Sequence, residues 1–207
     1  MVTVAVNGTP RKEVGKKPTK AVRKADLIPC VMYGGEEIVH FTTSFMEIKN
    51  LVYTPDFKMA EISLNGTTYR CILKDAQFHP VKENVLHLDF LQLVENKAIR
   101  VEIPVHFKGV SLGEKNGGKV IQSLRRIKAK TTPENLVDEL LVDISNLELG
   151  QSIRVRDIEA HEGIEIMNAP GIPIATVEVP RVLRSEEAEE EEEATEAVAE
   201  VAEATEE

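Results

Sequence analysis

Charge is separated along this chain so strongly that only part of the chain can form a packed core. The last 23 residues, 185–207, contain twelve glutamates and no basic residue. Twelve like charges repel one another, and the few alanines and valines among them bury too little apolar surface to offset the entropy of ordering. We therefore expect a disordered acidic tail over 185–207. The formal net charge of −10 describes that tail, since residues 1–184 carry about +2.

Composition predicts a core built mainly from aliphatic side chains. Hydrophobic residues make up 42% of the chain, but aromatic residues only 4%, and Trp is absent. Cys30 and Cys71 lie in apolar, strand-like runs, which favours buried free thiols over a disulfide. The N-terminus lacks the basic and apolar regions of a signal peptide, and no run approaches the roughly 18 apolar residues of a membrane span. We therefore expect a cytoplasmic protein.

The first section, residues 1–93, has the strand and turn signals of a small β domain. Valines at positions 2, 4 and 6 alternate with small or polar residues and predict an opening strand. The apolar run Ile28–Tyr33 predicts a buried strand. Asn65-Gly66 separates two further apolar runs and is typical of a type I′ hairpin turn, because both residues tolerate positive φ.

Two short helices are predicted within this section. Pro18 is suited to the first turn of a helix that would extend to Ala25. Ser44 and Glu47 have the spacing of a capping box, and Phe45, Ile48, Leu51 and Val52 follow with helical periodicity.

The second section, residues 94–184, predicts an all-β domain. Val101, Ile103, Val105 and Phe107 alternate with other residues, and further strands are predicted over 141–144, 152–155 and 172–179. Glycines from Gly109 to Gly118 predict a loop, and Thr132-Pro133 a short helix start. Positive and negative charges balance here at thirteen each. The concentration of positive charge that indicates polyanion binding is therefore confined to the first section.

A basic run in the first section extends from Arg11 to Lys24. Seven lysines and arginines fall in these fourteen residues, against the single acid Glu13. Such a cluster is typical of a protein that binds a polyanion. A solvated charged face is the structural alternative. Glycine and proline among the charges favour a flexible segment that follows phosphates.

Polar side chains concentrate in a second segment, residues 74–90. In an extended chain Asp75, Gln77 and His79 project to one face, and so do His87 and Asp89. Two histidines with two aspartates leave open a metal or general acid–base site, which would make the protein a metal-dependent hydrolase. They also leave open ordinary strand-end and turn roles.

The chemistry of these groups favours a third interpretation, a polar sheet face that binds nucleic acid. Gln, His and Tyr side chains combine donors and acceptors that can pair with base edges and ribose hydroxyls. The sequence contains no tight metal-ligand spacing, no nucleophile-elbow motif, no P-loop and no Rossmann glycine pattern. We therefore expect a protein that is not an enzyme and has no cofactor.

Four ordered motifs in the first section carry a resemblance to a known family: Arg11-Lys12-Glu13-x-Gly15-Lys16, Arg23 followed by Ile28-Pro29 and Tyr33-Gly34, Asp75-x-Gln77-x-His79-Pro80, and His87-x-Asp89-Phe90. The chain resembles the bacterial large-subunit ribosomal protein family that binds 5S rRNA, number twenty-five of the large subunit. Gly109–Gly118 and Asp143–Gly150 resemble the extra C-terminal domain of its long form, the general stress protein Ctc.

The resemblance implies a mainly β protein with a few short helices. An N-terminal β-barrel over 1–93 would dock on the loop E region of 5S rRNA, and an all-β domain over 94–184 would follow it. Four basic residues would fall at the RNA backbone: Arg11, Lys16, Lys20 and Arg23. Four other residues would lie along the minor-groove side: Tyr33, Gln77, His79 and His87. Lys12, Lys17 and Asp89 complete the predicted RNA-binding set.

Two hypotheses of function follow. The first is a structural constituent of the large ribosomal subunit that binds 5S rRNA and neighbouring ribosomal proteins and rRNA. The alternative is a ribosome-associated stress or assembly factor that binds protein partners through its second domain and acidic tail. Co-sedimentation separates them, because a constituent stays with the large subunit in high salt and an accessory factor is washed off.

Overall fold

A computed structural model describes residues 2–35, 37–158 and 163–179 of the chain. The tail expected to be disordered, 185–207, lies outside the described residues. Among the residues described, strands predominate and the helices are short, which confirms the predicted fold class. No helix in the described part is long and apolar enough to cross a membrane.

Six strands of the first section form a closed barrel. They are β1 (Thr3–Pro10), β2 (Leu27–Tyr33), β3 (Val39–Ser44), β4 (Met59–Leu64), β5 (Thr67–Phe78) and β6 (Val85–Gln92). Their order around the barrel is β1-β3-β2-β6-β5-β4, and β4 pairs with β1 to close the circle. The β1–β4 and β2–β6 pairs are parallel, and the other four are antiparallel. The predicted N-terminal barrel is confirmed.

The tightest turn of the barrel is the predicted Asn65-Gly66 hairpin. Asn65 has a φ of 50° and Gly66 a φ of 88°, the left-handed conformation that a type I′ turn requires of both central residues. Leu64 and Thr67 are directly paired across the turn. The register of β4 and β5 is therefore fixed by local sequence.

Alternation of inward and outward side chains fills the barrel interior. Phe41 and Phe90 are fully buried, with ring centroids 5.7 Å apart, and aliphatic side chains surround them. Cys30 and Cys71 are buried free thiols, as predicted. Burial raises the pKa of each thiol to about 12, so both are protonated at neutral pH.

Two helices accompany the barrel: α1 (Lys16–Lys24) and α2 (Phe45–Val52). The predicted capping box at α2 is wrong, although Ser44 does occupy the N-cap position. The Ser44 side chain makes no cap hydrogen bond, and the Glu47 carboxylate instead accepts hydrogen bonds from the backbone and side-chain amides of Asn7. This contact ties α2 to β1, because a strand amide forty residues away competes for the carboxylate.

The second section forms two smaller sheets. Its elements are β7 (Ile99–Lys108), α3 (Leu112–Lys115), β8 (Lys119–Gln122), β9 (Arg126–Thr131), β10 (Leu140–Asp143), β11 (Ser152–Arg154), β12 (Ile164–Ile166) and β13 (Pro173–Glu178), with 3₁₀ turns at Pro133–Asn135 and Val155–Asp157. One sheet has the order β10-β7-β9-β12 and the other β11-β13-β8. The predicted loop from Gly109 to Gly118 contains α3, whose N-cap hydroxyl on Ser111 accepts from the Glu114 amide at 3.1 Å.

Contacts divide the described residues into two compact units. The first lies within 1–105, 126–140 and 160–168. It contains the barrel, all of β9 and β12, and β7 as far as Val105. The second lies within 106–125, 141–159 and 169–207, and contains β8, β11, β13 and α3. The domain boundary between residues 93 and 94 stays a prediction.

In the second unit the glycines allow a close backbone approach. The Gly113 amide donates to the Leu147 carbonyl at 2.8 Å, and the Gly118 amide to the Gly113 carbonyl at 2.8 Å. A Cβ atom on Gly113 would lie 2.8 Å from Cγ1 of Val177 and 2.9 Å from the backbone carbonyl carbon of Glu148. No side chain fits there without moving the backbone, and α3 depends on that space.

We predict that Gly113→Ala lowers the free energy of unfolding by about 1–3 kcal/mol, the usual cost of overpacking. Gly171→Ala is the matched control, because a Cβ at Gly171 meets no atom within 4 Å. The control should change stability by less than about 1 kcal/mol. Urea unfolding followed by circular dichroism measures both, and equal stabilities of the two variants would contradict the packing argument.

Candidate nucleic-acid interface

Five of the seven basic residues of the run lie on the exposed helix α1. Helix α1 contains no fully buried residue, and Lys16, Lys17 and Lys20 are exposed on it. Lys12 is exposed in the segment before it. None of these lysines forms an ion pair with a carboxylate among the described residues. Their charge is therefore available to an anionic partner.

The electrostatics at the start of α1 are unfavourable without such a partner. Its first turn contains no acidic residue but does contain Lys16 and Lys17, and the N-cap Gly15 offers no side chain to accept a backbone hydrogen bond. Cations at a helix N-terminus oppose the helix dipole, whereas an anion there is stabilised by it. The last turn, with Arg23 and Lys24, has the favourable arrangement. The positive potential at the first turn of α1 is therefore not compensated by an acidic residue of that turn.

The two arginines of the predicted set are partly engaged in holding this helix. Nε and Nη2 of Arg23 donate to the Leu86 carbonyl on β6, at 3.2 and 3.0 Å. Nη1 of Arg11 donates to the Thr19 hydroxyl at 3.3 Å, and the Arg11 Nε is buried without a hydrogen-bond partner among the described residues. Arg23 is exposed and retains N–H donors. Both arginines therefore position α1, in addition to contributing positive charge.

Polar side chains line up on the outer surface of the barrel across three neighbouring strands. Gln77 is directly paired with His87 across β5 and β6, and Asp75 with Asp89. Tyr33 lies on β2, which pairs with β6 on its other side. These five residues, Tyr33, Asp75, Gln77, His87 and Asp89, form what we call the polar strip. The sequence predicted four of them as binding residues, and the structure places them together.

Electrostatics within the strip shows how closely its members interact. Burial raises the pKa of the Tyr33 hydroxyl above its usual value, and the carboxylates of Asp89 and Asp75 raise it further. Tyr33 is therefore a neutral hydroxyl that can donate or accept. Nδ1 of His87 lies 2.7 Å from Oδ1 of Asp89. A carboxylate can only accept, so Nδ1 carries the proton and Nε2 is left for a partner.

The strip differs in chemistry from α1. Asp75 and Asp89 are acceptors with negative charge and would repel phosphate, whereas they suit donors such as ribose hydroxyls and base amino groups. The Gln77 amide adds both donors and acceptors. Helix α1 and the polar strip meet at β6, where the Leu86 carbonyl binds Arg23 and the next residue is His87.

His79 does not join the strip, although an extended chain would place it beside Gln77. Strand β5 ends at Phe78, and its register with β6 shifts between Gln77 and Phe78. His79 begins the turn, where its Nδ1 accepts from the backbone amides of Val81 and Lys82, each at 3.2 Å. The neutral ring therefore carries its proton on Nε2. RNA binding by His79 stays a prediction, with Nε2–H as the group that could donate.

An exposed aromatic cluster that the sequence did not predict lies beside this turn. Phe45, Tyr53 and Phe78 have exposed fractions of 41, 48 and 45%. Their rings pack edge to face, with centroids 5.8 Å apart for Phe45–Tyr53 and 6.2 Å for Tyr53–Phe78. The three residues come from the two ends of α2 and the end of β5. No local pattern could have indicated this contact.

A basic stripe on β9 was also missed, although its signal is present in the sequence. Arg126, Lys128 and Lys130 alternate with inward residues and are all exposed. Lys128 lies 3.9 Å from a Glu102 oxygen and Lys130 3.2 Å from a Glu165 oxygen, so two of the three charges are partly compensated. The net charge of the second section is balanced, so it does not indicate that these three cations share one face of the sheet.

The metal site that the sequence left open has no matching ligand cluster in the part of the chain that the structure describes. No group of three or more His, Cys, Asp or Glu side chains there is arranged to hold a metal ion. His87 and Asp89 form a pair, and the hydrogen bond between them occupies Nδ1.

Comparison with known proteins assigns both sections of the chain. The model of the Ribosomal L25p family matches residues 6–90, and that of the ribosomal protein TL5 C-terminal domain matches residues 98–181. Matches to both models confirm the resemblance to the long, two-domain form.

Individual relatives can be aligned with this chain over most of their length. The large ribosomal subunit protein bL25 of Cytophaga hutchinsonii is 40% identical over 187 residues, which cover 90% of this chain and 97% of the relative. That of Porphyromonas gingivalis is 40% identical over 186 residues, 89% of this chain and 96% of the relative. That of Amoebophilus asiaticus is 41% identical over 185 residues, 89% and 94%. The chain therefore belongs to the bL25 family of large-subunit ribosomal proteins, a family of structural proteins and not of enzymes.

Proposed function

We propose that this protein is a structural constituent of the large ribosomal subunit that binds 5S rRNA through α1 and the polar strip. The observation that carries the proposal is the junction at β6, where Arg23 joins the uncompensated cations of α1 to the strip beside His87. Family membership supports a place on the cytoplasmic ribosome among rRNA and neighbouring ribosomal proteins. The resemblance of the four N-terminal motifs supports the loop E region as the binding site.

The two surfaces divide the work of recognition. Exposed Lys12, Lys16, Lys17 and Lys20 contact phosphates and supply affinity that does not depend on sequence. The strip faces the wide, shallow minor groove of an RNA helix, where ribose hydroxyls and base edges are accessible. Carboxylates there accept from hydroxyl and amino groups, and they penalise a phosphate that enters in the wrong register. Affinity comes mainly from the helix and site selection from the strip.

This division predicts that Lys16→Ala with Lys20→Ala weakens binding to 5S rRNA and flattens its salt dependence. Each phosphate contact that is lost should reduce the slope of log affinity against log salt by about 0.7 to 0.9. Filter binding of the full chain at several salt concentrations measures the slope. Lys115→Ala removes an exposed lysine from α3 and should leave the slope as in the wild type. An unchanged slope in the double variant would show that α1 is only a solvated face.

A second prediction separates the polar strip from the lysines. Tyr33→Phe removes only the hydroxyl and should lower discrimination between 5S rRNA and an unrelated RNA duplex by about 0.5–1.5 kcal/mol, the net value of one hydrogen bond. The salt slope should stay constant, because no charge changes. Tyr69→Phe removes a hydroxyl elsewhere on β5 and serves as the matched control. Equal loss of affinity for both RNAs would contradict a role in site selection.

A third prediction follows from the uncompensated start of α1. Backbone amides at positions 16–24 should exchange with solvent quickly in the free protein, since the helix has no buried residue and two lysines oppose its dipole. Phosphates bound at the helix N-terminus would offset the repulsion between the two lysines and the helix dipole. The same amides should therefore be protected in the 5S rRNA complex. Hydrogen exchange measured by mass spectrometry, with α2 as the internal reference, tests this. Equal protection of α1 with and without RNA would contradict the phosphate contact.

A further inference from the structure

A cavity of about 440 Å³ opens on the barrel beside the β5–β6 turn. Its lining includes the end of α1, the start of β2, the start of α2 and the turn itself. We call it the side cavity and define it by the residues that matter below: Arg23, Asp26, Leu27, Phe45, His79 and Asn84. We propose that the side cavity holds one unpaired nucleobase of the bound RNA. The inference rests on the proposed function, since it requires an RNA on α1 and the polar strip.

The cavity borders α1 directly, and its lining residue Leu86 comes immediately before His87 of the polar strip. Arg23, which lines the cavity, is the residue that joins α1 to β6. His79 and Asn84 are the two ends of the turn that connects β5 to β6, and the His79 amide donates to the Asn84 carbonyl at 2.8 Å. A nucleotide displaced from an RNA helix on these surfaces would therefore lie next to the cavity.

Phe45 gives the cavity an aromatic wall. Phe45 lines the cavity, and 41% of its surface is exposed. The ring packs edge to face against Tyr53, and the Tyr53 hydroxyl donates to the Glu83 carbonyl at 3.2 Å. Exposure of a large aromatic ring costs hydrophobic free energy, which stacking on a base recovers. Little conformational entropy of the ring is lost on binding, because its contact with Tyr53 already restricts it in the free protein.

The polar groups of the cavity match a base better than a phosphate. His79 presents Nε2–H as a donor, since its Nδ1 accepts two backbone amides. Asn84 offers an amide with both donors and acceptors, and Asp26 offers a carboxylate that accepts. The charges of Arg23 and Asp26 are opposite, so the cavity has no net attraction for an anion. A neutral base edge with donors and acceptors satisfies this set, and Leu27 adds an apolar contact.

A double-variant cycle on the full-length protein tests the proposal. Phe45→Leu keeps an apolar side chain in the fold but removes the stacking face. Each unpaired position of 5S rRNA is replaced in turn by an abasic nucleotide, and affinities are measured for the wild type and for Phe45→Leu. One abasic position should weaken wild-type binding by about 5- to 150-fold, the range for loss of one base stacked on an aromatic ring. The same position should have little further effect in Phe45→Leu.

Met46→Ala is the matched control, because Met46 is the next residue, is 79% exposed and does not line the cavity. It should behave as the wild type at every abasic position. Thermal unfolding of Phe45→Leu confirms that the fold is retained. The proposal is overturned if no abasic position couples to Phe45, or if Phe45→Leu binds as tightly as the wild type.

The cycle also distinguishes this inference from the proposed function. If the Lys16 and Lys20 variants flatten the salt slope but Phe45 couples to no position, RNA binding stands and only the base site fails. If the wild type does not bind 5S rRNA, both fail together.

Discussion

Closure of the barrel by the parallel β1–β4 pair is the constraint on which the rest of the first unit depends. Once β4 pairs with β1, none of the six barrel strands has a free edge, and each has one face inside the barrel and one outside. The inner faces take the apolar residues around Phe41 and Phe90. The outer faces of β2, β5 and β6 are then free to carry polar groups in a fixed register. The polar strip exists because Gln77 is opposite His87 and Asp75 opposite Asp89 in that register.

Helix α1 shows how a weakly packed element can still be positioned precisely. It buries no residue completely, and its N-terminal charges oppose the helix dipole. Two arginines replace the missing apolar contacts: Arg11 binds Thr19 near the start, and Arg23 binds the Leu86 carbonyl at the end. Both bonds involve guanidinium groups whose charge also adds to the positive potential. Arg11 and Arg23 therefore both orient α1 and belong to the positively charged surface around it.

The extent to which sequence determined this structure depends on how local each signal is. The Asn65-Gly66 turn and the burial of Cys30 were predicted, because turn chemistry and strand alternation involve only neighbouring residues. The capping box at Ser44 was wrong, because Glu47 binds an amide on β1 that is distant in sequence. His79 was expected on the strip and lies in the turn, since a register shift cannot be recognised in one strand alone.

The candidate site follows the same rule. Gln77, His87 and Asp89 were predicted as binding residues, because motif spacing on β5 and β6 maps directly onto one sheet face. Tyr33, on β2, was predicted from the family resemblance. The aromatic cluster was missed, because its three members come from separate elements and meet only in the folded protein. The conflict of charge in the strip was also hidden: Asp75 and Asp89 lie directly opposite each other on adjacent strands. Like charges in that arrangement destabilise a sheet by a few tenths of a kcal/mol up to about 1 kcal/mol. The hydrogen bond from His87 relieves one carboxylate, and Asp75 has none from a described side chain. A partner rich in hydroxyl and amino donors would relieve the other.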